Sequence, residues 1–177
     1  MNRRNGWHKF IVLFVIFVFA FQGISEEDNM KISTSVDNVL ITASVAKTVF
    51  LPRENIILNI ELHNNSPTEI MLEIVNPIYD FSWNVTTDDS NEKIKMTKHG
   101  QGCMENKRWG AVYRCFGIHI QPQKSEHYPG SVNLSDFFVF EANHQYSIEF
   151  TGFFLRGDKR LKYTISGLNI SITEKIE

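Results

Sequence analysis

The run FGIHIQPQKSEHYPGSVNLSDFFVFEANHQYSIEFTGFF, residues 116–154, decides the fold class. Phe116, Ile118 and Ile120 alternate with Gly117 and His119. Val132 and Leu134 flank Asn133, and Tyr146, Ile148 and Phe150 alternate with Ser147 and Glu149. A period of two puts one set of side chains on one face of a sheet. The run therefore reads as strand, proline-bearing turn, strand, aromatic corner, strand. Phe137, Phe138 and Phe140 are placed to plug one end of the resulting layers, with a single helical turn allowed over residues 136–142.

The same pattern continues upstream. Residues 56–63, IILNIELH, set Ile56, Leu58, Ile60 and Leu62 on one face. The polar turn 64–69 follows, then Ile70, Leu72 and Ile74 point inward before Pro77 stops the strand. Phe81, Trp83 and Val85 share a face, and Ile94 and Met96 suggest a short strand over 93–97. Earlier, residues 39–46 are rich in β-branched side chains, and Pro52-Arg53-Glu54-Asn55 makes a turn. Downstream, Leu168, Ile170 and Ile172 alternate and close the domain. Residues 98–115 show no period and carry three glycines, so they read as a long excursion. The expectation is an all-β chain of about eight to nine antiparallel strands without a convincing helix. Short, regularly spaced strands favour a sandwich over a barrel.

The first 25 residues are of a different kind. Arg3, Arg4 and Lys9 precede twelve residues without a polar group, 10–21, then a small-residue exit at Gly23 and Ser25. That is the order of a secretory signal peptide, with cleavage expected before Glu26. The alternative is an uncleaved anchor over residues 10–21, although a span needs about 20 apolar residues. The domain reading is signal 1–25, flexible leader 26–38, sandwich 39–177, in the periplasm or secreted. Loss of residues 1–25 lowers Lys+Arg from 18 to 15 against 20 acids, a net charge of −5. That balance argues against a general nucleic-acid binder. In an exported chain the two cysteines, Cys103 and Cys115, are expected to form a disulfide across the excursion.

The chemistry-bearing residues do not assemble into a reaction signature. The histidines lack the H-E-x-x-H spacing, and no G-x-S-x-G occurs. Cys115 and His119, four residues apart on a strand, would lie about 13 Å from each other. His119 and His127 could approach only across a strand pair. No glycine-rich phosphate loop leads from a strand into a helix, so no cofactor and no metal is expected. Asn64, Asn84, Asn133 and Asn169 each begin an N-x-[ST] triplet. Basic residues gather at Lys93, Lys95, Lys98, Lys107, Arg108 and Arg114, beside Trp109 and Tyr113, and again at Arg156, Lys159, Arg160 and Lys162. Charge runs usually mark a solvated face.

Three pieces carry a resemblance. They are residues 50–56, FLPRENI, leading to Asn64-Asn65-Ser66; residues 92–100, EKIKMTKHG; and Ile120-Gln121-Pro122-Gln123 followed by Val132-Asn133-Leu134-Ser135 and Tyr146-Ser147-Ile148. In this order they resemble the small immunoglobulin-like β domains of exported proteins. Such a domain accompanies the catalytic domain of deuterolysin-like zinc peptidases. The intracellular proteinase inhibitors of bacilli use a similar sandwich. The chain departs from that pattern at Arg53 and at His144-Gln145, where the family has glycine, and it lacks the peptidase motif, so no catalytic residue carries over. The resemblance implies an immunoglobulin-like β-sandwich. The functional expectation is a non-enzymatic module that binds another protein or a surface. Its candidate contact is the loop closed by Cys103 and Cys115, with Lys107, Arg108, Trp109 and Tyr113. The alternatives are a proteinase inhibitor using the same loop, and an accessory domain to a hydrolase or an unrecognised enzyme.

Overall fold

A computed structural model describes residues 29–74, 81–87, 92–108 and 116–174, with the side chains of 106–108 and 116 left aside. The segment expected to be a signal peptide, 1–25, lies outside the described residues. Among the described residues no helix is long and apolar enough to cross a membrane.

The chain is mostly β, in two sheets. One sheet holds β1 (Met30–Val36), β2 (Val39–Val45), β4 (Ile57–Asn64) and β8 (Ser125–His127) in that order, with β9 (Val132–Asn133) also on β4. The other runs β3 (Val49–Phe50), β11 (Lys159–Ile172), β10 (His144–Arg156), β5 (Ile70–Ile74), β7 (Phe116–Ile120). Its β6 (Ser82–Thr87) shares the flank of β10 with β5, pairing with Tyr146 to Thr151, while β5 takes Phe154 and Leu155. Pairing is antiparallel except for β3, which lies parallel to β11.

The alternation read from sequence sets the core. Ile56, Leu58, Ile60 and Leu62 are buried against Ile70, Leu72, Ile74, Tyr146, Ile148, Phe150, Leu168, Ile170 and Ile172. Phe81 stacks on Phe150 at 5.0 Å, and Trp83 leans on both. Turn chemistry fixes the register. Asp37 and Asn38 both take positive φ, 49° and 64°, which suits the twist of the tight β1–β2 hairpin. Pro52 with Arg53 (φ 66°) and Pro122 with Gln123 (φ 58°) follow the type II pattern, each closed by an i to i+3 hydrogen bond of 3.1 Å. Arg156 pairs with Asp37 at 3.0 Å and brings the tip of the β10–β11 hairpin to the edge of the first sheet.

Three expectations are corrected. Residues 30–36 of the expected leader form β1, paired along its length with β2; its side chains are half buried on one face and exposed on the other, as on an edge strand. The excursion begins with a helix, α1 (Lys98–Arg108). The expected strand 93–97 makes only single bridges, Thr86 to Lys93 and Met96 to Phe138. The helical turn anticipated near 136–142 falls at α2 (Leu134–Phe137).

Gly152 and Tyr163 explain each other. A Cβ at Gly152 would sit 2.6 Å from the Tyr163 hydroxyl and 2.7 Å from the Phe81 ring, so the strand needs glycine there. The Tyr163 hydroxyl is buried without a hydrogen-bond partner. Burial, and secondarily the Tyr128 phenol, push its pKa well above the ordinary tyrosine value. Above about pH 10 the unfolded chain loses this proton and the folded chain keeps it, so stability falls as pH rises. Tyr163→Phe is expected to leave stability at pH 7 unchanged or raise it by up to ~1 kcal/mol, because it removes an unpaired buried hydroxyl. It should also flatten the alkaline decline, as read by denaturant titration at pH 7 and pH 10.5.

Candidate functional site

Two features stand outside the sheets at the aromatic end of the sandwich: α1 and a groove beside it. The sequence KHGQGCMENKR has two glycines and little helix propensity of its own. The helix forms because it is capped and docked. Thr97 accepts the Gly100 N–H through its side chain at 3.0 Å, and the Gln101 N–H closes the first turn on the Thr97 carbonyl at 2.9 Å. The Thr97 N–H donates to the Phe137 carbonyl at 2.9 Å, and its hydroxyl donates to the Asp136 carbonyl. Gly100 lies so close to α2 that a Cβ would meet the Phe137 oxygen at 2.4 Å. Cys103, one turn on, is buried on the same face, and the His99 ring rests on Phe137 at 5.3 Å. Lys98, His99, Gln101 and Glu105 are left exposed.

The sequence-selected residues fall as follows. Cys103 is a buried free thiol, 3.7 Å from His99 Nε2. Its expected partner Cys115 lies outside the described residues, as do Trp109 and Tyr113. Lys107 and Arg108 are the last two residues of α1. His119 and His127 are not brought together: β7 and β8 belong to different sheets. His119 instead meets Glu69 at 3.1 Å, and His127 sits opposite Glu61. His63 Nδ1 lies 3.0 Å from the Ser125 hydroxyl on the outer face of the first sheet. Among the described residues no three His, Cys, Asp or Glu side chains are grouped to hold a metal ion. The groups with chemistry are thus spread over separate faces.

The groove, about 370 Å³, lies between the Pro52-Arg53 turn and the segment that runs out of α2. Its walls are joined by hydrogen bonds between residues 78 to 81 positions apart. The Ser135 hydroxyl donates to the Glu54 carbonyl at 2.8 Å and accepts the Ile56 N–H at 3.3 Å. Asn133 Nδ2 donates to Asn55 Oδ1 at 3.1 Å and to Asp136 Oδ1 at 3.0 Å. Glu54 is satisfied internally, by Lys47 at 2.6 Å and the Leu51 N–H at 2.9 Å. Burial opposes its charge, yet Lys47 and the Leu51 N–H hold the carboxyl below its ordinary range. Leu51, residues 53–56, Thr97 and Ser135 thus line one groove although they come from three separate parts of the chain. Sequence reading missed the groove because its partners are distant in the chain.

No protein-family model, no curated protein and no solved structure matches this chain.

Proposed function

We propose that the chain is an exported, non-enzymatic binding module of immunoglobulin-like architecture, and that it contacts another protein through α1 and the residues leading to Cys115. The observation that carries the reading is the mounting of α1. It belongs to neither sheet, it is fixed rigidly by Thr97 and Gly100, and its outward side chains are free of the core. A rigidly held element loses little entropy on binding. Lys107 and Arg108 close the helix, and Trp109 follows directly; arginine and tryptophan are the residue types that dominate binding hot spots.

The immunoglobulin-like part of the reading draws support from Tyr146. Near the start of β10 its hydroxyl accepts the Glu141 N–H at 2.6 Å and donates to the Glu141 carbonyl at 3.1 Å. A tyrosine at the start of a central strand, bonded back to backbone a few residues upstream, is the tyrosine corner of such sandwiches. Burial pushes this phenol's pKa up. The continuous segment that serves the first sheet as β2 and the second as β3 adds to the same reading.

The test is photo-crosslinking in the producing cells, with benzoylphenylalanine placed either at Glu105 on α1 or at Asn169 on the outer face of β11. Both positions are exposed. A discrete protein adduct from Glu105 and none from Asn169 is expected. Adducts from Asn169 alone, or equal adducts from both, would place the contact elsewhere.

A further inference from the structure

Among the described residues the large apolar side chains left exposed are Val49 (40%), Leu51 (38%), Met71 (50%) and Val139 (40%). Met71 stands apart on β5, opposite His119, but the other three lie together. Leu51 and Val139 line the groove over Phe138 and Ile56, and Val49 is the next outward residue on the strand that leads to Leu51. Clustered exposed apolar groups mark contact surfaces more than single ones do.

Among the described residues β3 ends its sheet, with a neighbour on one side only. The Thr48 and Phe50 carbonyls are taken by Ser171 and Thr173 N–H groups of the β11 segment, at 2.8 and 2.9 Å. Successive residues of a strand direct their hydrogen bonds to opposite sides, so Val49 turns its N–H and carbonyl away from β11. An extended chain laid alongside can meet both groups at once.

Charge selects what that chain carries. Glu54 is neutralised by Lys47, as described above. Asp136 stands on the far wall. Arg53, on the near wall, is exposed and sits at φ 66°, a left-handed conformation that glycine adopts more readily. The two walls thus carry opposite charge, with the positive one nearest β3.

We propose that this groove seats an extended segment of another protein by strand addition at Val49. The segment places apolar side chains against Leu51 and Val139 and a carboxylate on Arg53. Peptide addition to a sheet edge takes affinity from the main chain and specificity from pockets for alternate side chains. The proposal does not rest on α1 as a contact, and failure of the crosslink from Glu105 would leave it standing.

Fluorescence anisotropy with defined probes tests it. One labelled nonapeptide alternates valine and threonine and carries a single central aspartate; its counterpart has lysine there. The aspartate peptide is expected to bind saturably, and the lysine peptide at least about tenfold more weakly, as a lost charge-assisted contact requires. Arg53→Gly relaxes the turn, so it keeps the fold, and it should lower affinity for the aspartate peptide by about tenfold. Leu51→Ser should weaken both peptides. The proposal is overturned if neither peptide saturates, if both bind equally, or if Arg53→Gly binds as wild type does. It is also overturned if sedimentation shows a dimer of the free protein that Leu51→Ser returns to monomer, since a second copy would then fill the groove.

Discussion

Asn64→Ala is expected to destabilise the protein by about 3–4 kcal/mol, while Asn65→Ala next to it changes stability by less than about 0.5 kcal/mol. Asn64 is fully buried, and every polar atom of its side chain is used. Its amide donates to the Thr68 carbonyl at 2.8 Å and to the Ile120 carbonyl at 2.9 Å. Its oxygen accepts the Ser66 N–H at 2.8 Å and lies 2.6 Å from the Ser66 hydroxyl. Its backbone reaches the third segment, since its N–H donates to Lys124 and its carbonyl accepts Gln123. One side chain thus ties the end of β4, the turn before β5 and the crossing from β7 to β8. Truncation takes the Asn64 side-chain partner from the Ile120 carbonyl and the Ser66 N–H, each worth about 1–3 kcal/mol when left unpaired, and leaves the Thr68 carbonyl with the Ser66 hydroxyl alone. Asn65 is exposed and offers only its backbone, to Asn38. Chemical denaturation of the two variants reads the difference. Equal midpoints would show that water enters and takes over the Asn64 bonds. Asn64 also begins an N-x-[ST] triplet, and its burial closes that position to glycosylation in the folded protein.

Gly100→Ala is expected to destabilise by about 1–3 kcal/mol, the range for overpacking, against the sign that helix propensity predicts. On propensity alone, alanine for glycine inside α1 should stabilise by about 1 kcal/mol. The new methyl would lie 2.4 Å from the Phe137 oxygen and 3.0 Å from its Cα, both backbone atoms that no rotamer change can move. The same oxygen already accepts the Thr97 N–H that sets the helix cap. Relief requires α1 to lift away from α2, which strains that cap and the Cys103 packing while the two sheets stay intact. Hydrogen exchange should therefore rise in α1 and remain low in β10 and β11. A stabilised variant would mean that α1 is held less closely than described.

The core was legible in sequence because each inward strand face obeys a local rule. Ile56, Leu58, Ile60 and Leu62 need only a period of two to be placed, and the same holds for Tyr146, Ile148 and Phe150. β1 was hidden because it is a half-exposed edge: MKISTSV offers just Ile32 and Val36 with Met30 as apolar guides. α1 was hidden because Gly100 and Gly102 read as breakers, whereas Gly100 answers to the backbone of Phe137, nearly forty residues away. The groove depends on Ser135 meeting Glu54 and Ile56, and the separation of His119 from His127 depends on a chain that changes sheets at Pro122. Such meetings are set by topology, which no local pattern encodes. Arg53 was visible as a departure from glycine, but only its left-handed φ shows that the turn tolerates the side chain at a cost.

The central claim is that binding runs through α1 as the sandwich end mounts it. It is tested most directly by the affinity of the protein crosslinked from Glu105 for the Gly100→Ala variant, measured by calorimetry well below the variant's melting temperature. A loss of at least about tenfold, or 1.4 kcal/mol, is predicted, with the sheets still protected from exchange. Unchanged affinity in a variant whose α1 exchanges freely would contradict it.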